Sequence, residues 1–191
     1  MSEVSIRRGA YPGSFNPPTR AHLELAAAAR DQHELERVDL IVSRVTLAKE
    51  HVTRPLLEHR LDVLRASVAR FDWLEVAVTD EKLMVDIAAG YDVVVMGADK
   101  WAQVNDPVFY GGSAEARDDA VDRLPKVAIA PRPPHPLPAG AALDVPDDLV
   151  AISSTACRDG RRDWMTAEAA AFDAETGAWT DPERYERLIT E

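Results

Sequence analysis

A chain of 191 residues and 21.0 kDa is long enough to bury a sizeable core in one domain, and 46% hydrophobic against 29% charged residues exclude wholesale disorder. Thirty-three acidic against 22 basic residues leave a net charge of −11, which argues against a nucleic-acid partner, and the single cysteine, Cys157, excludes an intrachain disulfide or a dithiol redox centre. No apolar run reaches the ~18–20 residues of a spanning helix and Met1-Ser2-Glu3-Val4 carries no secretory pattern, so the expectation is a cytoplasmic chain with no membrane partner.

In chain order, Val4–Tyr11 reads as a short strand running into the turn signal Pro12-Gly13. Arg20 to about Gln32 is rich in Ala and Leu and reads as a helix. Asp39–Val42 is the next strand, and the run from Pro55 to Phe71 places Leu57, Leu61, Leu64 and Val68 on one helical stripe, with Arg60 and Arg65 expected on the surface. Leu74–Val78 reads as a strand, Glu81–Ala89 as helix, and Asp92–Met96 as a buried parallel strand. Trp101–Gly112 reads as a loop, the stretch around Ser113–Arg123 as a polar helix, and Lys126–Ala130 as a further strand. Residues 131–146 hold six prolines and read as a structured loop or a mobile flap; Leu149–Ile152 reads as a short last strand. The alternation implies an α/β fold, a doubly wound parallel sheet. The expected organisation is one domain over 1–191, with 160–191 an acidic helical C-terminal extension.

In such a sheet the ligand lies beyond the carboxyl ends of the strands, which directs attention to the first strand–turn–helix, Tyr11-Pro12-Gly13-Ser14-Phe15-Asn16-Pro17-Pro18-Thr19-Arg20-Ala21-His22. Gly13 permits close approach of backbone N–H groups to a phosphate, the helix start near Thr19 offers unpaired N–H groups, and His22 lies one turn in. Taken alone, such a turn is as readily a plain connection. Far along the chain, Ser153, Ser154 and Thr155 leave a strand and open a helix, with Arg158 one turn later on the face of Thr155. His33, His51, His59 and His135 lack metal-ligand spacing, and Cys157 has no neighbouring histidine to activate it.

Gly-Ser-Phe-Asn-Pro-Pro-Thr-x-x-His resembles the phosphate-binding entry of the nucleotidylyltransferase superfamily, with Ala21 where its pattern has Gly, and Ile152-Ser153-Ser154-Thr155-Ala156-Cys157-Arg158 is similar to its Ile-Ser-Ser-Thr-x-x-Arg element. Gly97-Ala98-Asp99 and the Arg132-Pro133 after the fifth strand resemble the nicotinate and nicotinamide mononucleotide adenylyltransferases; the Tyr11-Pro12-Gly13 opening resembles the phosphopantetheine adenylyltransferases. The resemblance implies a Rossmann-like nucleotidylyltransferase fold and transfer of AMP from ATP, with Mg²⁺, onto the phosphate of a small mononucleotide-like acceptor such as nicotinate mononucleotide. It implies catalytic roles for Thr19, His22 and Arg158. Contacts to the nucleotide fall to Gly13, Ser14, Phe15, Lys49, Gly97, Ala98, Asp99, Ser153, Ser154 and Thr155, with Trp101 a candidate to stack on a flat ring. The alternatives are a phosphopantetheine-type or cytidylyl-transferring relative, or a non-catalytic nucleotide-binding sensor. The partners implied are a phosphorylated small-molecule acceptor and neither nucleic acid nor membrane; a homo-oligomer stays open.

Overall fold

A computed structural model describes residues 6–45 and 54–190. Five parallel strands form one sheet: β1 (Arg8–Pro12), β2 (Arg37–Ser43), β3 (Leu74–Thr79), β4 (Val93–Gly97) and β5 (Lys126–Ala130), in the order β3-β2-β1-β4-β5. The chain winds outward from β1 to β3, then crosses back to place β4 on the other side of β1. Strand order therefore reverses between β1 and β4, and a crevice is expected at their carboxyl ends.

Nine α-helices connect and extend the sheet: α1 (Arg20–His33), α2 (Leu57–Val68), α3 (Met84–Ile87), α4 (Ala98–Val104), α5 (Ala114–Asp122), α6 (Asp147–Val150), α7 (Ser154–Arg158), α8 (Ala167–Thr176) and α9 (Pro182–Thr190) among the described residues. Strand residues alternate between faces, so Val93 and Val95 enter one core with Leu40, Leu61 and Leu64, whereas Val94 and Met96 enter a second with Met84 and Ile129. Burial on both faces accounts for the apolar run Val93–Met96 in β4 and for Leu40–Val42 in β2.

Away from the crevice, Asp39 on β2 is 1% exposed and receives Arg8 Nη2 and Arg37 Nε, each at 2.6 Å, and the Tyr91 hydroxyl at 2.7 Å. Burial pushes the Asp39 carboxyl up, but the hydrogen bonds from Arg37, Tyr91 and Arg8 outweigh it and hold the group below the usual carboxylate range. Burial first, and then the hydrogen bond to Asp39 and its negative charge, push the Tyr91 phenol up to about 12 against the opposing charges of Arg8 and Arg37.

Several elements differ from the sequence expectation. Leu149–Ile152 is not a strand: α6 forms there, because residues 141–143 already occupy the free edge of β5 through Ile129 N–H to the Ala141 carbonyl and Leu143 N–H to the Ile129 carbonyl. Leu149 and Ile152, three apart, satisfy their apolarity in a small cluster with Ala21 instead. The proline-rich segment is accordingly a structured strap, tied further by Gln32 Nε2 to the Ala142 carbonyl and Asp144 N–H to Gln32 Oε1, both at 2.9 Å. Of Glu81–Ala89 only α3 is helical, and the expected loop after β4 begins as α4. The tail forms α8 and α9, whose Ala169 and Tyr185, with Trp179 between the two helices, pack against Val63 of α2. No helix among the described residues is long and apolar enough to cross a membrane.

Candidate active site

The residues singled out in the two distant sequence patches line one cleft of about 250 Å³ at the carboxyl ends of β1, β4 and β5. Its wall is built from Gly13, Ser14, Phe15, Thr19 and His22 on one side and from Ser153, Ser154, Thr155 and Arg158 on another, with Gly97, Asp99 and Arg132 opposite. The two patches are also bonded to each other. Ser154 Oγ donates to the Pro17 carbonyl at 2.8 Å, and Arg158 Nη1 donates to the Asn16 carbonyl while its Nη2 reaches Thr155 Oγ1 at 3.1 Å. Arg158 is exposed and uses two of its five N–H donors here.

Thr19 caps α1 in a capping box whose third helical residue is His22. The Thr19 backbone N–H donates to His22 Nδ1 at 2.9 Å, and the Thr19 hydroxyl lies 2.9 Å from the same nitrogen. A nitrogen facing those donors holds no proton, so the neutral imidazole carries its hydrogen on Nε2. Burial, with the positive charge of Arg132 in support, draws the His22 pKa down to about 4, and the ring is neutral at pH 7. Phe15 stands edge-on to it with ring centroids 5.0 Å apart, and Tyr11 lies beyond at 6.2 Å. Thr19 is 1% exposed, so its geometry suits orienting His22.

Gly13 lines the cleft and is also a packing site. Its N–H is bonded to the Ile41 carbonyl at 3.0 Å, extending the β1–β2 ladder, and a Cβ there would sit 2.9 Å from the Phe15 ring. The glycine makes room for Phe15, which is 2% exposed and adopts φ 45°, a left-handed conformation uncommon for a bulky residue. The turn is held from outside by its carbonyls and by Asn16. Pro18 accepts from Thr166 N–H at 3.1 Å, and Asn16 Oδ1 accepts from the Trp179 indole N–H at 2.6 Å, a buried contact across 163 residues of chain.

Across the cleft Asp99 folds over Gly97, where a Cβ would lie 2.5 Å from its Oδ1, and pairs with Arg132 Nε at 3.8 Å. Arg132 Nη2 also donates to the Ile152 carbonyl at 3.3 Å. Among the described residues no cluster of three or more His, Cys, Asp and Glu could hold a metal. Asp99 is the one carboxylate among the described residues that line the cleft, too few for a protein cage, so a hard divalent cation there would draw its remaining oxygens from a ligand and water.

A cytidylyltransferase-like family model matches residues 10–160, from the middle of β1 to just past α7. The chain belongs to this family. The matched span takes in both patches, so the cleft is that of a nucleotidyltransferase fold. Over 64 residues the chain is 39% identical to the "Probable nicotinate-nucleotide adenylyltransferase" of Geobacter sp. (strain M21), a match that covers 34% of this chain and 30% of that protein.

Not every anticipated residue reaches the cleft of this cytidylyltransferase-like chain. The Ala98 side chain is fully buried in the second core and does not line it. Trp101 packs against the same core and is likewise absent from the lining. Lys49 lies outside the described residues. Cys157 is fully buried, and burial, with Asp163 nearby, pushes its thiol up to about 11, which leaves it inert as a nucleophile. Arg60 is no surface charge: it is 8% exposed and its Nη2 donates to the Ser14 carbonyl at 2.7 Å. The signal was in the sequence, since position 60 falls on the stripe of Leu57, Leu61 and Leu64, where a charged residue must find a partner.

Proposed function

We propose that this chain transfers AMP from ATP onto the phosphate of a mononucleotide-like acceptor, nicotinate mononucleotide in the first instance, and releases pyrophosphate. The observation that carries the reading is the meeting of the Thr19–His22 and Ser153–Arg158 patches on one cleft at the β1–β4 reversal. An acceptor phosphate oxygen attacks the α-phosphorus in line, forming the new P–O bond as the bond to the β-phosphate oxygen breaks and pyrophosphate departs with its electrons. The acceptor is already anionic, so the reaction needs no strong base and no covalent intermediate; positioning and charge stabilisation dominate. His22, neutral and oriented by Thr19, donates from Nε2 to a phosphate oxygen on which charge develops. Arg158 and the Ser154–Thr155 turn hold the leaving pyrophosphate. Magnesium bound to the triphosphate neutralises part of its charge. The nicotinate acceptor is favoured by the local identity to the Geobacter protein.

A second reading, cytidylyl transfer from CTP, is favoured by the family whose model spans residues 10–160. Incubation with ATP or CTP and a panel of phosphorylated acceptors, followed by pyrophosphate release, decides between them. The expected result is release that requires ATP and nicotinate mononucleotide and falls roughly 10²–10³-fold in kcat for His22→Ala. Release with CTP alone supports the second reading, and nucleotide binding with no release under any pairing overturns both in favour of a sensor.

A further inference from the structure

Arg60 lies in the first turn of α2, on the side that buries Leu61 and Leu64. One nitrogen, Nη2, donates to the Ser14 carbonyl at 2.7 Å, and the buried Nε has no partner among the described residues. Among the described residues no carboxylate lies within ion-pair distance of the guanidinium, although Arg8, Arg37 and Arg162 each find one. A guanidinium removed from water without a counter-charge is costly. Yet this one sits directly behind the turn that lines the cleft. The Ser14–Phe15 peptide is trans, so a carbonyl drawn toward Arg60 turns the Phe15 N–H away from it. That N–H has no protein acceptor among the described residues.

We propose that Arg60 is a positioning residue for phosphate binding: it fixes the Ser14 peptide so that the Phe15 N–H meets a nucleotide phosphate, and its charge faces the polyanion through that peptide. The inference rests on the cleft being a nucleotide site. It predicts a dependence on ligand charge that packing alone would not produce, because each added phosphate increases the attraction to a fixed positive charge.

Calorimetric titration of the folded parent, Arg60→Met and Arg60→Lys with magnesium and ATP, AMP or adenosine tests it. Arg60→Met is expected to lose about tenfold more affinity for ATP than for AMP, with adenosine binding unchanged. Arg60→Lys, which keeps the charge with a single donor group, is expected to fall between Arg60→Met and the parent. Equal losses for all three ligands, or none, overturn the assignment. Should Arg60→Met fail to fold, Arg60→Lys decides: ATP binding weakened at least about threefold relative to adenosine supports the role, and parallel changes overturn it. A parent that binds ATP no better than AMP overturns the functional reading and this inference together, whereas a parent with that preference and an Arg60→Met that retains it overturns the inference alone.

Discussion

The buried bond from the Trp179 indole to Asn16 ties the C-terminal segment to the phosphate turn, and Trp179→Phe isolates it. The two residues are 4% and 7% exposed, so the Asn16 oxygen cannot recover water when the indole N–H is lost. An orphaned buried acceptor costs about 1–3 kcal/mol, and the smaller ring beside Phe172 leaves a void worth about 1 kcal/mol. The backbone N–H of residue 179 keeps its 2.8 Å bond to Asp173, so the loss stays local. A total of roughly 2–4 kcal/mol is a large share of the ~5–15 kcal/mol by which domains are stable, and at ~2–4 °C per kcal/mol lowers Tm by roughly 5–15 °C. Urea unfolding followed by circular dichroism measures it, with Asn16→Ala and the double variant closing a cycle. A coupling of about 1–2 kcal/mol is expected. The KM for ATP should rise in Trp179→Phe, because the Asn16 carbonyl also receives Arg158. Strict additivity, or a loss under ~0.5 kcal/mol, would refute the reasoning.

Two further outcomes follow from the charges. His22 is held near pKa 4 when folded and returns to about 6.5 when unfolded, so below pH 6.5 the unfolded chain takes up a proton that the folded chain refuses. Its contribution is complete above pH 6.5 and falls by on the order of 2–3 kcal/mol as pH drops toward 4; urea midpoints of His22→Asn should be flatter than the parent's over that window, and parallel curves would contradict the burial of the neutral ring. Asp39→Asn leaves Arg8 and Arg37 without their shared carboxylate and should destabilise by about 3 kcal/mol in thermal unfolding, with nucleotide affinity unchanged because Asp39 lies away from the cleft.

The order of strands and helices was legible because β4 is a continuous apolar run and β2 holds the apolar triplet Leu40–Val42, while α1 and α2 carry helical composition and spacing. The two polar patches were legible through the spacing of their Gly, Ser, Thr, His and Arg residues, which resembles two motifs of the nucleotidylyltransferase superfamily; alone, the first reads as a plain turn and the second as a capped helix. What lay beyond the sequence was pairing across long separations. Nothing local to Asn16 signals Trp179, and nothing local to Leu149 signals that residues 141–143 have taken the sheet edge. Ala98 and Trp101 were misplaced because the helix that starts at once after Gly97 turns their side chains into the core. The acidic C-terminal stretch reads as an appendage by composition, yet Met165 pairs with Thr19 and Tyr185 receives the Leu56 N–H at 2.9 Å.

The strap over β5 carries a consequence for how molecules of this protein meet. With Ile129 engaged on its outer side, that flank offers an incoming chain less backbone to template against, and among the described residues the other edge strand of the sheet is β3. There the half-exposed Glu75 is bound to Arg37, and charged side chains along an edge strand disfavour pairing with a further strand. The strap segment 141–143 at one border and the Arg37–Glu75 pair at the other stand where an incoming strand would have to pair, while the crevice between β1 and β4 lies away from both.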